Sequence, residues 1–266
     1  MATSDVSDPI NPRQEQILSL LETQHTVEVT ALSEMFGVSA VTIRTDLDML
    51  QKRMLLRRVR GGATRIKPAR FERPIELPSH NFSAQKERIG KLAASMVRSG
   101  ETVILDAGTT TTAMAAALPH ELNDVVVITS SLDIAIILEQ HPGIAVIVTG
   151  GTLKKTGRNR RSRSLTHPFA GLILEQLNAD CAFICCGGID ATRGFTNAHF
   201  EEVEIKRAMI ASSRRTIVLG DHGKIGHVAG ARIAALKEIS ALITDDEASP
   251  TGLQPLESAG LQVMLA

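Results

Sequence analysis

The sequence contains no tryptophan, no tyrosine and only seven phenylalanines among 266 residues. Proteins that bind single-stranded nucleic acid usually stack the bases on aromatic side chains, so this class of protein is disfavoured. Aliphatic side chains must therefore build the core, and hydrophobic residues make up 43% of the chain, which excludes a wholly disordered protein. The length fits two domains, a small one and a larger one.

The sequence also lacks any apolar stretch that approaches the length of a membrane span, and its first residues show no basic segment followed by an apolar run. We therefore expect a cytoplasmic protein with no membrane partner. Cys181, Cys185 and Cys186 lie in one apolar run without a ligand set at zinc spacing. We interpret them as buried free thiols, and we expect neither a metal site nor a cofactor.

The formal net charge is zero, which by itself argues against a nucleic-acid partner. The average conceals a local block, however, because residues 51–70 hold eight basic residues and no acidic one. Composition alone leaves two interpretations open, a solvated charged face and a surface that contacts phosphates. The segment that precedes the block bears on this choice.

Two short helices joined by a glycine-containing turn are predicted before the basic block, and the second one extends into its first residues. The first ends at Gly37, because glycine readily adopts the left-handed conformation that terminates a helix. The second, over residues 39–53, is capped by Ser39 and packs Ile43 and Leu47 inward at helical spacing. This pattern is typical of a helix-turn-helix whose second helix enters the major groove of DNA.

The residues after the second helix predict a β-hairpin, or wing, with arginines suited to backbone phosphates. Helix pattern and basic block coincide within about fifty residues, which favours a DNA-binding module over a small helical module that binds protein. We expect double-stranded operator DNA to be contacted by Ser39, Ala40, Val41, Thr42, Arg44, Thr45, Arg57, Arg58, Arg60 and Arg65.

The stretch LSEMFGVSAVTIRTDLDMLQKRMLLRRVRGGA resembles the winged helix-turn-helix of DeoR/GlpR-type transcriptional regulators. That signature has a VS-x-x-TIR-x-DL core, then a leucine-arginine strand and a GGA wing. The resemblance places the helix-turn-helix at about residues 27–45. It departs at Thr45, where many members carry a second arginine. We divide the chain into a DNA-binding domain over 9–66, a proline-containing linker over 67–82 and a larger domain over 83–266.

In the larger domain, strand-like apolar runs alternate with helical segments, as in an open, mostly parallel α/β sheet covered by helices on both faces. Ligands of such sheets bind beyond the carboxyl ends of the strands. The stretch ILDAGTTTTAMA places a threonine run there, at the start of a helix, where hydroxyls and unpaired N–H groups suit an anion. By itself the run fits ordinary helix capping better than phosphate binding.

The segments ILDAGTTT, ITSSLDIA, VTGGTL, GGIDATRGFT, EEVEIKRAMI and LGDHGKIG resemble, in this order, the effector domain of the same regulators. That domain is related in fold to ribose-5-phosphate isomerase and binds phosphorylated sugars or sugar derivatives. Most members carry Asn-Ser where this chain has Ser130 and Ser131. The resemblance implies an effector site formed by Asp106, Gly108, Thr109, Thr110, Thr111, Ser130, Ser131, Gly150, Gly151, Asp190, Lys206 and Lys224.

Two features of the larger domain are left with more than one interpretation. The segment 154–163 carries six basic residues and is interpreted as a loop, either solvated or acting as a lid that attracts phosphate. Glu201, Glu202 and Glu204 could supply carboxylates for catalysis, but they are interpreted as the solvated face of a helix. The basic residues of the loop are Lys154, Lys155, Arg158, Arg160, Arg161 and Arg163.

The relationship to an isomerase makes a sugar-phosphate isomerase fused to a DNA-binding module the main alternative. Isomerisation needs a carboxylate base and a group that stabilises the enediolate oxygen. The isomerase has an acidic Asp-Gly-Ala-Asp-Glu segment where this chain reads Cys-Gly-Gly-Ile-Asp, so most of the carboxylates are missing. A redox-sensing repressor would need G-x-G-x-x-G after the first strand, and the chain has DAGTTTTA.

We therefore expect no catalytic residue and no enzyme activity. The sequence predicts a DNA-binding transcriptional repressor of a carbohydrate-metabolism operon, controlled by a phosphorylated sugar or sugar derivative. Symmetric operators imply a homo-oligomer, either a dimer or a tetramer.

Overall fold

The computed structural model describes residues 11–24, 26–52, 55–64, 82–156, 160–166 and 168–266. It divides into two compact units, Met1–Ala69 and Arg70–Ala266, which are considered separately below. The expected linker over 67–82 lies, except for Phe82, outside the described residues.

The described part of the first unit contains three helices and a small antiparallel sheet. Gly37, at φ 63°, ends the second helix as predicted, and Ile43 and Leu47 of the third are completely buried. A Cβ on Gly62 would lie 2.0 Å from the Val27 carbonyl oxygen, so only glycine permits this close approach of the strands. The elements are α1 (Pro12–Gln24), β1 (Thr26–Glu28), α2 (Val29–Phe36), α3 (Ala40–Lys52), β2 (Arg57–Val59) and β3 (Gly62–Thr64), with strand order β1-β3-β2.

The second unit is built on a seven-stranded sheet in which every neighbouring pair is parallel, which confirms the predicted α/β class. The strand order is β15-β14-β12-β9-β4-β5-β6. These strands are β4 (Thr102–Leu105), β5 (Val125–Thr129), β6 (Ile144–Val148), β9 (Ala179–Cys185), β12 (Ser213–Leu219), β14 (Ala241–Thr244) and β15 (Gln262–Leu265).

Six helices cover the two faces of this sheet, and each face has its own core of aliphatic side chains. Helices α4, α5 and α6 pack on one face through residues such as Ile89, Met114 and Ile134. Helices α7, α8 and α9 pack on the other face through residues such as Ala170 and Val203. The helices are α4 (Ser83–Ala94), α5 (Thr109–Ala116), α6 (Leu132–Leu138), α7 (Phe169–Leu174), α8 (Phe200–Ala211) and α9 (Pro250–Ser258).

Two smaller β-structures of this unit were not predicted. Strands β10 (Gly188–Asp190), β11 (Gly194–Asn197) and β13 (Ala231–Ala234) form a second sheet, which is antiparallel. Strands β7 (Thr152–Thr156) and β8 (Arg160–Thr166) form an antiparallel hairpin, so the interpretation of 154–163 as a loop is wrong. Among the described residues, no helix is long and apolar enough to cross a membrane.

Candidate DNA-binding surface and ligand-binding site

The first turn of α3 presents a small, mixed surface. The Ser39 hydroxyl accepts the backbone N–H of Thr42 at 3.1 Å and so caps the helix as predicted. Val41, Arg44 and Thr45 are exposed and share one face at helical spacing, with Val41 67% exposed. An exposed valine beside a threonine and an arginine is suited to a groove that offers both a thymine methyl and hydrogen-bonding base edges.

On its buried face, helix α3 carries a carboxylate that the sequence analysis missed. Asp46 is 3% exposed and accepts hydrogen bonds from Arg13 Nε at 2.6 Å and Gln14 Nε2 at 2.9 Å. These bonds tie α1 to α3. The available signal was position, because an acidic residue three places after the buried Ile43 falls on the inner face of the helix.

The predicted arginines of the hairpin formed by β2 and β3 differ in exposure and in pairing. Arg57 and Arg60 are exposed, and Arg60 lies in the turn beside Gly61. Arg58 is half-buried and pairs with Asp48 of α3 at 3.1 Å, which positions the hairpin against the helix. Arg65 lies outside the described residues.

In the second unit, the end of β4 carries a buried ion pair. The carboxylate of Asp106 accepts the backbone N–H of Cys185 at 2.9 Å and the ammonium of Lys206. Their side chains are 5% and 4% exposed. Burial alone would lower the pKa of Lys206, but the charges of Asp106 and Glu202 and the hydrogen bond to Asp106 raise it. Lys206 therefore neutralises Asp106 rather than pointing to solvent.

A second ion pair lies next to the first. The ammonium of Lys154, on β7, contacts Glu202 of α8, whose other oxygen accepts the Asn197 side-chain amide at 2.6 Å. The interpretation of Glu202 as solvated is wrong, since its side chain is only 22% exposed, whereas Glu201 and Glu204 are exposed. Asp106, Lys206, Glu202 and Lys154 thus form a compact cluster of two negative and two positive charges.

The pH dependence of stability should report on this cluster. Burial would raise the pKa of Glu202, but the charges of Lys206 and Lys154 and the bonds from Lys154 and Asn197 lower it below 4.5. A lowered carboxyl pKa contributes stability that is present above the unfolded-state pKa and is lost as pH falls through the folded-state value. Urea unfolding of the Glu202→Gln variant is expected to show less loss of stability on acidification below pH 4.5 than the wild type. Equal losses of unfolding free energy in the two proteins on acidification would contradict this.

The threonines at the start of α5 are not equivalent. Thr109 is exposed, whereas Thr110 is 5% exposed and Thr111 is completely buried. The Thr111 hydroxyl donates to the carbonyl oxygens of Asp106 and Gly108, so it is engaged with the backbone of its own loop. A Cβ on Gly108 would lie 2.6 Å from the Cys185 sulfur, which explains the glycine. Of the three hydroxyls predicted to meet an anion, that of Thr109 is accessible.

The hairpin of β7 and β8 covers the strand ends next to Asp106. Leu165 donates its N–H to the Ser130 carbonyl at 2.8 Å, and Ser131 caps α6 by accepting the Ile134 N–H at 3.3 Å. Gly150 and Gly151, at φ 69° and 123°, lead the chain into the hairpin. The cavity beneath, lined by Asp106, Ser130 and Glu202 among others, encloses about 10 Å³, barely the room of one water molecule.

A larger groove of about 450 Å³ lies between α4 and α5, on the exposed side of Thr109. Its wall includes Lys86, which the sequence analysis missed although it falls on the apolar stripe of α4 with Ile89 and Ala93. Lys86 is 6% exposed, and burial lowers its pKa, as does the nearby charge of Lys224, while Asp221 opposes the effect.

Asp190 is engaged locally. One of its oxygens accepts the N–H groups of Thr192 and Arg193 and the Thr192 hydroxyl, and the hydrogen bond from Thr192 is the main cause of its lowered pKa. These bonds stabilise the turn between β10 and β11. No described hydrogen bond or ion pair joins Asp190 to the other predicted effector residues.

One group of potential metal ligands occurs among the described residues, namely His222, Asp245 and Glu247. The His222 ring lies 2.6 Å from Asp245 Oδ1, which also accepts the Glu247 N–H, while Gln85 donates to the Glu247 carboxylate. The group is accounted for as a hydrogen-bonded cluster. The cysteines are free thiols, and burial raises the pKa of Cys181 to about 12.

Comparison with known proteins gives matches along nearly the whole chain. A family model described as the DeoR-like helix-turn-helix domain matches residues 13–69, and one described as the DeoR C terminal sensor domain matches residues 81–246.

Three relatives illustrate the match. The HTH-type transcriptional regulator GolR of Listeria innocua is 33% identical over 96% of this chain and 98% of its own length. The HTH-type transcriptional repressor GlcR of Bacillus subtilis is 33% identical over 94% and 93%. The putative aga operon transcriptional repressor of Escherichia coli O157:H7 is 32% identical over 95% and 93%.

Solved structures give a weaker match. Ribose 5-phosphate isomerase from Plasmodium falciparum is 18% identical, covers 52% of this chain and 51% of its own, and has a TM-score of 0.37.

Proposed function

The chain belongs to the DeoR family of transcriptional regulators, and from that membership we propose that it represses a carbohydrate-metabolism operon under the control of a phosphorylated sugar. It is a DNA-binding regulator and not an enzyme. Relatives are named as repressors, one of them of the aga operon. The relatives described above are bacterial, and the bacterial chromosome lies in the cytoplasm, so we propose that the protein acts there.

The observation that carries the DNA-binding part is the first turn of α3. Val41, Arg44 and Thr45 form an exposed face on a helix anchored by buried Asp46, so side chains that read bases would be held rigidly. Exposed Arg57 and Arg60 on the hairpin supply positive charge for phosphates, where contact fixes orientation rather than sequence.

For the effector, the accessible groups favour a phosphate site at the start of α5. Thr109 offers an exposed hydroxyl there, and the first N–H groups of the helix lack intrahelical partners. Lys86 lines the groove beside Thr109, and its pKa responds to the charge of Lys224 and, in the opposite sense, to that of Asp221. The ammonium of Lys206 contacts Asp106 instead. We assign the phosphate to Thr109, Lys86 and Lys224, and the sugar to the neighbouring strand ends around Asp106 and Ser130.

The isomerase alternative lacks a suitable base. Asp106 is buried and held by Lys206, Glu202 is held by Lys154 and Asn197, and Asp190 stabilises its own turn. None of these carboxylates is available to move a proton between adjacent carbons of a substrate. Control of DNA binding then follows from linkage, because a ligand that binds one arrangement of the protein more tightly shifts the population toward it.

The effector site is tested by thermal shift of the full chain with inorganic phosphate, pentose and hexose phosphates, and the same sugars without phosphate. A phosphorylated sugar is expected to raise the unfolding temperature and to release operator DNA. Lys224→Ala and Thr109→Val should each weaken this effect by about tenfold in ligand concentration.

The controls Lys237→Ala and Thr251→Val change exposed residues of the same types elsewhere in the second unit and should respond as the wild type does. Normal responses by both Lys224→Ala and Thr109→Val would mean that the phosphate lies elsewhere. Conversion of a sugar phosphate into its isomer, followed by NMR, would overturn the regulator-only function.

A further inference from the structure

Strand β6 forms one edge of the seven-stranded sheet, with β5 as its neighbour. The Thr149 N–H donates to Thr129 at 3.0 Å, and the Gly143 carbonyl accepts from Val125 at 3.1 Å. Because ladder bonds alternate along a strand, the odd-numbered residues of this segment bond to β5. The N–H and C=O groups of Val146 and Val148 therefore point away from the sheet, and no strand among the described residues pairs with them.

This edge lacks the features that usually prevent edge-to-edge pairing. From Gly143 to Leu153 the chain has no charged residue and no proline, and the strand is regular, without a bulge. Ala145, Ile147 and Val148 are exposed. At the opposite edge, by contrast, Arg88 donates a hydrogen bond to the carbonyl of Ala266, the residue that follows β15, at 3.3 Å.

Apolar side chains are also exposed on the helices that flank β6. On one face of the sheet, Phe169 and Leu172 of α7 are 58% and 59% exposed, and a Cβ built on Gly150, just after β6, would lie 3.9 Å from Phe169 Cβ. On the other face, Ile136 and Ile137 of α6 are 58% and 39% exposed. The end of the sandwich is therefore apolar in all three layers, as expected of an interface rather than of a solvated surface.

We propose that β6 pairs antiparallel with β6 of a second copy of this chain, so that the two sheets become one across a two-fold axis at Val146. In this register the outward N–H and C=O of Val146 meet those of the partner's Val146, and the Val148 N–H meets the carbonyl of the partner's Ile144. On the exposed face, Ala145 lies opposite the partner's Ile147, a small side chain against a large one.

A second copy fits this edge better than an unrelated partner does. A two-fold interface must be complementary to itself, and the uncharged segment IAVIV opposes only apolar side chains when it is paired with its own reverse. Two copies also suit an operator with two half-sites, and this use of the dimer rests on the proposed repressor function.

Sedimentation velocity of the full chain, without DNA or effector, tests the interface independently of that function. Ile147→Lys places an ammonium inside the interface, and Val146→Pro removes an N–H that β5 does not use. Each is expected to raise the dissociation constant at least about tenfold, giving monomers from dimers or dimers from tetramers. Leu265→Lys, on the opposite edge, is the matched control and should associate normally.

Circular dichroism melts will establish that each variant is folded. The interface is refuted if folded Ile147→Lys and Val146→Pro proteins associate as the wild type does, if Leu265→Lys dissociates equally, or if the wild type is monomeric at micromolar concentration.

Discussion

A Lys206→Met variant is expected to lose about 3 to 5 kcal/mol of unfolding free energy, because the change leaves the Asp106 carboxylate buried without its cation. A typical domain has a stability of about 5 to 15 kcal/mol, so the second unit would be left close to unfolding at ordinary temperature. Urea denaturation followed by far-ultraviolet circular dichroism measures the change, and the transition of the second unit is the relevant one.

The control for this experiment removes both charges. Asp106→Asn combined with Lys206→Met leaves no unpaired buried charge and should recover a large part of the loss, whereas Lys237→Met, at an exposed lysine, should be nearly neutral. A loss below about 1 kcal/mol for the single variant would show that the ion pair does not stabilise the unit. Variants of Lys206 are therefore unsuitable probes of ligand binding unless their stability is measured as well.

An Arg44→Ala variant is expected to weaken binding to operator DNA by about 1 to 3 kcal/mol while leaving binding to scrambled DNA nearly unchanged, provided that Arg44 reads a base. Arg44 is exposed on α3, and no described carboxylate pairs with it. Fluorescence anisotropy at fixed salt is the measurement, with an operator selected from a random library by the wild-type protein.

Arg214→Ala serves as the matched control, since Arg214 is an exposed arginine of the second unit. It should leave both affinities unchanged. Equal losses of Arg44→Ala on operator and scrambled DNA would make Arg44 a phosphate contact, and no loss on either would remove α3 from the DNA interface.

Sequence patterns predicted those helix ends and strands that depend only on residues close to one another in the chain. Gly37 ends α2 and Ser39 caps α3, because backbone conformation and capping depend on a few neighbouring residues. The strands of the large sheet were evident because burial on both faces demands continuous apolar runs. The hairpin of β7 and β8 escaped detection because its segment is rich in basic residues, and a run of like charges is usually interpreted as solvated or disordered.

The partners of the charged residues could not be predicted, because they come together only in the tertiary structure. Asp106 and Lys206 are separated by 100 positions, and Glu202 meets Lys154 only because the hairpin crosses the strand ends. The resemblance to the family placed Lys206 in the effector site, but it did not reveal that Asp106 compensates the charge of Lys206. Lys86 was missed although its position on the apolar stripe of α4 indicated burial, because a lysine is usually assigned to the solvated face of a helix.

The hairpin over the strand ends has a kinetic consequence. It leaves about 10 Å³ beside Asp106, and it is held by Lys154 on Glu202 and by Arg163 on Asp133 at 2.9 Å. A sugar that binds beside Asp106, as proposed above, needs more room than this, so its entry would require the hairpin to move. The observed association rate would then level off as the effector concentration rises, and its limit would be the rate at which the hairpin opens. The delay between a change in metabolite concentration and a change in transcription would therefore depend on this opening rate.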